Sequence, residues 1–327
     1  MEQVQTKAAQ GRVADAPSGH WVYRALPRGL WPYAQLARWD RPIGWQLLLW
    51  PCWWSAALAA SAYARPTDSF ASLMPSPWHL VLFFLGAVAM RGAGCTYNDI
   101  VDVGIDEKVE RTRSRPLPSG KVNKRQAWTF LVLQALVGLA VLVQFNSFAI
   151  GLGIASLIVV AVYPFMKRFT NWPQLVLGLA FSWGALMGWA AEFTDLGRPA
   201  VLLYLGSVFW VIGYDTIYAH QDKEDDALVG VKSTARLFGD STKSWLIGLY
   251  GGALILMASA FSAAQVPVVA MAGLLAAGAH MARQIFVLDI EDPDQCLKLF
   301  RSNNTVGWLI FLGLVAGGAW VALKPLL

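Results

Sequence analysis

The sequence predicts an all-α, polytopic membrane protein, a bundle of about nine transmembrane helices with its functional site at the cytoplasmic side. Three observations predict it. Hydrophobic residues make up 56% of the 327 positions and charged residues only 14%, against about 25% charged in soluble domains. Mean hydropathy is +0.45, and sixteen Trp fit a chain that meets the membrane–water boundary many times. The Lys and Arg residues also fall mainly on one side of the apolar segments, which orients them.

Residues 1–40 are mixed and polar, with no continuous apolar stretch of the kind a signal peptide needs, and Glu2 and Asp15 count against a transit peptide. Trp31-Pro32-Tyr33, followed by Leu36, Trp39 and Ile43, predicts a short interfacial helix leading into the membrane. From residue 41 onward the chain reads as one transmembrane domain. Its apolar segments run over 43–63, 78–98, 127–144, 147–166, 174–192, 199–219, 245–263, 266–288 and 306–325. Each approaches the ~20 residues that span a bilayer as a helix, and the ten-residue alternation of a barrel is absent. Only Gln144-Phe145-Asn146 separates the third segment from the fourth.

With the N-terminus inside, the inner loops are 99–126, 167–173, 220–244 and 289–305. Only Arg65, Arg198 and Lys324 then fall outside, and Arg91 lies within a span. The positive-inside rule thus accounts for the net charge of +5 without any nucleic acid. The membrane expected is most simply a bacterial inner membrane, with a mitochondrial inner membrane as the alternative.

Two acidic stripes end up on the inner side. Asn98, Asp102 and Asp106 are four residues apart and drift only about 40° per step on a helix, so they share one face. Arg91, seven residues earlier, lies on that face about 10 Å deeper, where an ionisable group is costly unless it meets a cavity or a partner. The second stripe is Asp215, Tyr218, Asp222 and Asp226, expected to keep one face of a continuing helix. Clustered carboxylates repel unless a cation sits among them. Oxygen donors of this kind suit Mg²⁺, which is usually held by one or two carboxylates together with substrate phosphates.

Phosphates need cations as well, and Arg111, Arg113, Arg115, Lys167, Arg168, Lys232 and Arg236 lie on the same side. Cys52, Cys95 and Cys296 show no CxxC spacing, and His20, His79, His220 and His280 no paired spacing, so a thiol or histidine metal site is not expected.

These residues also carry a family resemblance. Asn98-Asp99-x-x-Asp102-x-x-x-Asp106 with Arg111-x-Arg113-x-Arg115-Pro116-Leu117-Pro118-Ser119-Gly120 resembles the first signature of the UbiA-type intramembrane prenyltransferases. Asp222-x-x-x-Asp226 with Gly230-Val231-Lys232-Ser233-Thr234 resembles the second. Arg38-Trp39-Asp40-Arg41-Pro42-Ile43-Gly44 and Tyr163-Pro164-Phe165-Met166-Lys167-Arg168 are similar to the 4-hydroxybenzoate branch, which usually has Thr where Trp45 stands here.

The resemblance implies a nine-helix fold whose active site opens to the cytoplasmic side and laterally to lipid. It implies transfer of a polyprenyl group from polyprenyl diphosphate to the 4-hydroxybenzoate ring in ubiquinone biosynthesis. Asn98, Asp102, Asp106, Asp222 and Asp226 would then hold Mg²⁺, and Arg113, Arg115, Lys167, Arg168 and Lys232 the diphosphate. Arg41, by analogy with its branch motif, would meet the acceptor carboxylate, with Asp215 and Tyr218 also beside the acceptor. The stretch from Asp289 to Asn304, with Cys296-Leu297-x-x-Phe300-x-x-Asn303, also resembles the family and reads as a structural loop. The alternatives are a member of that family with another aromatic or lipid acceptor, or a cation-coupled transporter. Carboxylates gathered at one membrane face beside basic loops favour phosphate chemistry over transport.

Overall fold

A computed structural model describes residues 13, 20–65, 67–109, 112–228 and 230–323, without the side chains of Asp225 and Asp226. All regular structure among them is helical. Two short helices, α1 (Trp21–Ala25) and α2 (Trp31–Leu36), precede the long ones. These are α3 (Ile43–Ser61), α4 (Pro77–Asp106), α5 (Lys124–Leu142), α6 (Ser147–Phe169), α7 (Pro173–Phe181), α8 (Gly184–Phe193) and α9 (Arg198–Ala219). The short α10 (Lys223–Leu228) and α11 (Thr234–Phe238) lead to α12 (Thr242–Ala263), α13 (Ala270–Val287) and α14 (Pro293–Leu323).

Among the described residues, eight helical stretches are long and apolar enough to cross a membrane, with α7–α8 and α11–α12 each counting as one. The remaining expected segment, α3, is a helix of 19 residues as well. It stands outside that set because Trp45, Trp50, Trp53, Trp54 and Gln46 dilute its aliphatic content. Three of those indoles are not at a boundary. Trp50 donates to Asn304 Oδ1 at 3.0 Å, Trp53 to the Leu80 carbonyl at 3.1 Å and Trp54 to the Gly307 carbonyl at 2.8 Å. Trp50 and Trp54 are buried and Trp53 half-buried, and each satisfies its one donor on another helix.

The chain divides into two compact units, residues 1–45 with 85–141 and residues 46–84 with 142–327. In the first, the end of α2 packs on the segment that follows α4. Leu36, Leu117, Val122 and Ala127 form a buried cluster, with Tyr33, Ile100, Val103 and Phe130 against it. Residues 112–123 of the connection after α4 are therefore a built element. Thr112 Oγ1 donates to the Asp106 carbonyl at 2.9 Å, and Val122 N–H to the Pro116 carbonyl at 3.1 Å. Asn123 and Gln126 then exchange side-chain-to-backbone bonds of 3.0 and 2.9 Å, a capping box that starts α5.

In the second unit α9 is the hub, in contact with α7, α8, α12 and α14. Its apolar window is 67% buried against 11% for α6, as expected for a helix apolar on every side. Asn146 caps α6 through Ala149 N–H at 2.9 Å, and its amide reaches the carbonyls of Ala190 and Ala191. The narrow boundary between the third and fourth segments is thus a real one.

Two expectations are corrected. The stretch 289–305 is not a loop beyond Asp292: α14 starts at Pro293 and runs unbroken to Leu323. Cys296, Leu299, Phe300 and Asn303 are buried along one face of it. The second acidic stripe does not lie on one continuing helix. After Ala219 the chain tightens into a 3₁₀ turn, His220–Asp222, before α10 begins.

Helices α13 and α14 meet backbone to backbone at Gly273 and Gly313. A Cβ on Gly313 would lie 2.8 Å from Gly273 Cα and 2.9 Å from the Ala270 carbonyl. Small residues that let helices approach this closely are a membrane packing device. Gly313→Ala should lower stability by about 1–3 kcal/mol, the usual cost of overpacking, seen as a lower unfolding midpoint in detergent.

Candidate active site

Helix α4 has 30 residues, about 45 Å at 1.5 Å per residue, which exceeds the ~30 Å hydrocarbon core. Its C-terminal turns carry the first stripe. Asn98 is half-buried, Asp102 fully buried and Asp106 nearly so. Seven residues earlier, the Arg91 guanidinium lies over the backbone of Gly44, where a Cβ would meet Nε at 2.7 Å. This assigns a physical role to the glycine of Pro42-Ile43-Gly44.

Asp106 Oδ2 receives Arg115 NH1 at 2.9 Å. The same nitrogen lies 3.4 Å from Asp99 Oδ1, and Asp99, one residue off the stripe, has no exposed surface. Arg38 NH2 meets that same oxygen at 2.6 Å. Arg38 stands at a position that normally selects glycine. Its φ is 57°, its N–H bonds the Gln35 carbonyl at 3.2 Å, and Trp39 N–H bonds the Ala34 carbonyl at 2.9 Å. Those two bonds are the Schellman ending of α2, in which an L-residue with a side chain costs about 1–2 kcal/mol. The turn aims the guanidinium at Asp99 while NH1 caps the Gln35 carbonyl at 2.7 Å.

Beside it, fully buried Asp40 accepts from Tyr23 OH at 2.7 Å and from Arg41 Nε at 3.3 Å. Burial, reinforced by the Asp40 charge, pushes the Tyr23 phenol up, so it stays a neutral donor. Arg41 thus has a fixed carboxylate partner at the head of α3. Arg113 is exposed on the loop. Arg111 and the side chain of Asp226 lie outside the described residues.

The second unit carries the other candidates. Asp215 and Tyr218 are half-buried on the last turns of α9, and the Tyr218 ring sits 4.5 Å from that of Phe300. Asp222 is half-buried at the end of the 3₁₀ turn. The turn is held by His220 Nε2 and Thr242 Oγ1, 3.1 Å apart.

Three of the proposed cations do come together. Lys167 and Arg168 close α6, Arg168 lying 5.7 Å from the Phe165 ring centroid. Lys232 caps the same helix end from outside, its N–H on the Lys167 carbonyl at 3.0 Å and its ammonium on the Phe169 carbonyl at 3.2 Å. Two carbonyls that α6 leaves without partners are satisfied this way. The residues after Lys232 are structural. Ser233 caps α11 through Arg236 N–H, and Thr234 pairs its hydroxyl with Thr216 at 2.7 Å.

Among the described residues no three His, Cys, Asp or Glu side chains are grouped closely enough to hold a metal by themselves. The donor chemistry of the first stripe nevertheless fits a hard divalent cation, since it offers amide and carboxylate oxygens on one buried helix face. Asp106 already stabilises a positive charge there in the form of Arg115. Sequence reasoning named Asp99, Arg38 and Asp40 only as members of family motifs, gave them no role at the site, and missed Tyr23. A signal existed for two of them: Arg38 and Asp40 are charged residues immediately ahead of a membrane span.

Comparison with known proteins matches the description "UbiA prenyltransferase family" over residues 48–315. A Drosophila melanogaster protein described as "4-hydroxybenzoate polyprenyltransferase, mitochondrial" is 52% identical over 287 residues, covering 88% of this chain and 71% of its own. Among solved structures, a UbiA homolog from Aeropyrum pernix K1 superposes with a TM-score of 0.67 at 22% identity, over 83% of this chain and 97% of its own. A UbiA homolog from Archaeoglobus fulgidus bound to GPP and Mg²⁺ gives 0.59 at 19% identity, over 89% and 99%. At those identities the structures speak for the fold alone.

Arg38→Gly separates backbone from charge. It relieves the left-handed residue but removes one cation from a buried carboxylate, a loss of about 3–5 kcal/mol for broken buried pairs. The expected net effect is a destabilisation of about 2 kcal/mol after the ~1–2 kcal/mol relief, read from thermal unfolding. A gain in stability would show that the Arg38–Asp99 contact contributes nothing.

Proposed function

Since the chain belongs to the UbiA prenyltransferase family, we propose that it transfers a polyprenyl group from polyprenyl diphosphate to 4-hydroxybenzoate, ortho to the hydroxyl, with release of diphosphate, in ubiquinone biosynthesis. One observation carries this reading. Half of all positions over 88% of the chain match a protein of that name, and the matched stretch includes the buried stripe of α4.

In this reading Asn98, Asp102 and Asp106, with Asp222 and Asp226, supply oxygen ligands to Mg²⁺. Bound there, the ion neutralises charge that develops on the departing diphosphate. Arg113 and Arg115 on the loop after α4, and Lys167 and Arg168 at the end of α6, provide further positive charge for the same anion. Lys232 holds its loop against α6, which fixes Lys167 and Arg168 in place. When the allylic C–O bond breaks, its electron pair leaves with the diphosphate. The ring carbon ortho to the phenol donates electrons to the new C–C bond, and loss of the ring proton restores aromaticity.

Arg41 meets the acceptor carboxylate, held for that by Asp40 and Tyr23. Asp215 and Tyr218 sit at the end of α9 near the acceptor hydroxyl. An apolar, aromatic interior keeps water from the electron-poor prenyl carbon and offers it ring faces. The basic loops favour the cytoplasmic side of a bacterial inner membrane, or the matrix side of a mitochondrial one, for this face.

The test uses membranes containing the protein, Mg²⁺, a labelled polyprenyl diphosphate and 4-hydroxybenzoate. Wild type should form prenylated product that EDTA abolishes. Asp102→Asn and Asp222→Asn should each lose activity on the order of 100-fold or more, as removal of a charge-stabilising group does. Diphosphate release without 4-hydroxybenzoate product would keep the site and move the acceptor, with Trp45 as the first residue to change. No turnover of any prenyl diphosphate by a folded preparation would end the reading.

A further inference from the structure

Arg115 NH1 stands between two carboxylates that differ in kind. On one side is Asp99 Oδ1 at 3.4 Å, without exposed surface and already held by Arg38 at 2.6 Å. On the other is Asp106 Oδ2 at 2.9 Å, on the final residue of α4. Asp106 is also one of the oxygen donors assigned to the divalent cation. A guanidinium and a divalent ion on one carboxylate repel each other at contact distance, so the two occupancies compete.

We propose that Arg115 is an exchangeable placeholder for the metal. It neutralises Asp106 while the metal is absent and yields that carboxylate when a divalent cation arrives. It then turns its charge to the substrate diphosphate. Asp99, fixed by Arg38, is the positioning residue that keeps Arg115 within reach after the exchange. Among the ion pairs of the described residues, two guanidiniums stand here against two carboxylates. Once Asp106 passes to the metal, Arg38, Asp99 and Arg115 carry one net positive charge, suited to an anion. The metal thus prepares the anion site by displacing its own stand-in. The diphosphate half of this inference rests on the proposed function; the metal–arginine exchange does not.

The test measures Mn²⁺ alone, binding to the purified full chain without substrate, by the loss of free-ion EPR signal. Arg115→Gln should tighten Mn²⁺ binding about tenfold, the factor to which a ~1.4 kcal/mol charge-assisted contact corresponds. Arg115→Lys should stay near wild type. Asp99→Asn should weaken binding, because Arg115 then rests on Asp106 alone. In the Arg115→Gln background, Asp106→Ala should erase the gain. Unchanged or weaker binding in Arg115→Gln overturns the proposal, as does a gain that survives Asp106→Ala, or Mn²⁺ binding to no variant.

Should Arg115→Gln fail to fold, Asp99→Asn carries the test through its opposite shift, and wild-type affinity there overturns it. In the transfer assay Arg115→Gln should raise KM for the prenyl diphosphate with a smaller change in kcat. Mn²⁺ shifts as expected, with no prenyl transfer by wild type, would leave the exchange standing and remove the functional reading.

Discussion

A carboxylate without exposed surface stays charged only where cations stand against it, and the first unit is arranged around one such group. Asp99 takes Arg38 from the turn after α2 and Arg115 from the loop after α4, both on one oxygen. Three stretches far apart in sequence are thereby tied at one buried point. Much else follows from it. Arg38 adopts a left-handed backbone where glycine is the usual residue. Residues 112–123 fold back so that Leu117 and Val122 pack on Leu36. Arg115 is delivered to Asp106, and so the last turn of α4 is held by the same charge network that lines it.

The second unit solves a similar problem with backbone groups. Its loop after α9 is anchored by Lys232 on the carbonyl end of α6, and by the Thr216–Thr234 hydroxyl pair against the hub helix. The ammonium works there through the partial negative charge of a helix end. The 3₁₀ turn at His220–Asp222 is tied to the start of α12 by His220 and Thr242.

Apolar length made the helices long enough to cross a membrane legible in the sequence. The helical spacing of Asn98, Asp102 and Asp106 made the first stripe legible too. The rest failed for physical reasons. Nothing in Tyr218-Ala219-His220-Gln221 breaks a helix, lacking both Pro and Gly, so the 3₁₀ turn comes from tertiary contacts such as His220 with Thr242. The stretch 293–305 was hidden by its charge content. Its buried Cys296, Leu299, Phe300 and Asn303 recur at helical spacing, so that helix was readable by period although not by hydropathy. Asp99 stands in the first family signature, but one position off the stripe of carboxylates, so helical spacing gave it no role.

Burial separates the basic residues where the positive-inside rule cannot. That rule explains why Lys and Arg populate these loops, and it predicts that they point into water. Arg38 and Arg115 do not: their side chains are 12% and 13% exposed, each against the fully buried Asp99. Arg113 on the same loop is exposed, as the topological explanation alone requires. Holding a guanidinium in such a place costs desolvation that an exposed anchor avoids. A network of two arginines and two carboxylates at the end of α4 is therefore more than a topological signal. It is a buried cluster of paired charges, and removing one of its carboxylates shifts it toward positive charge.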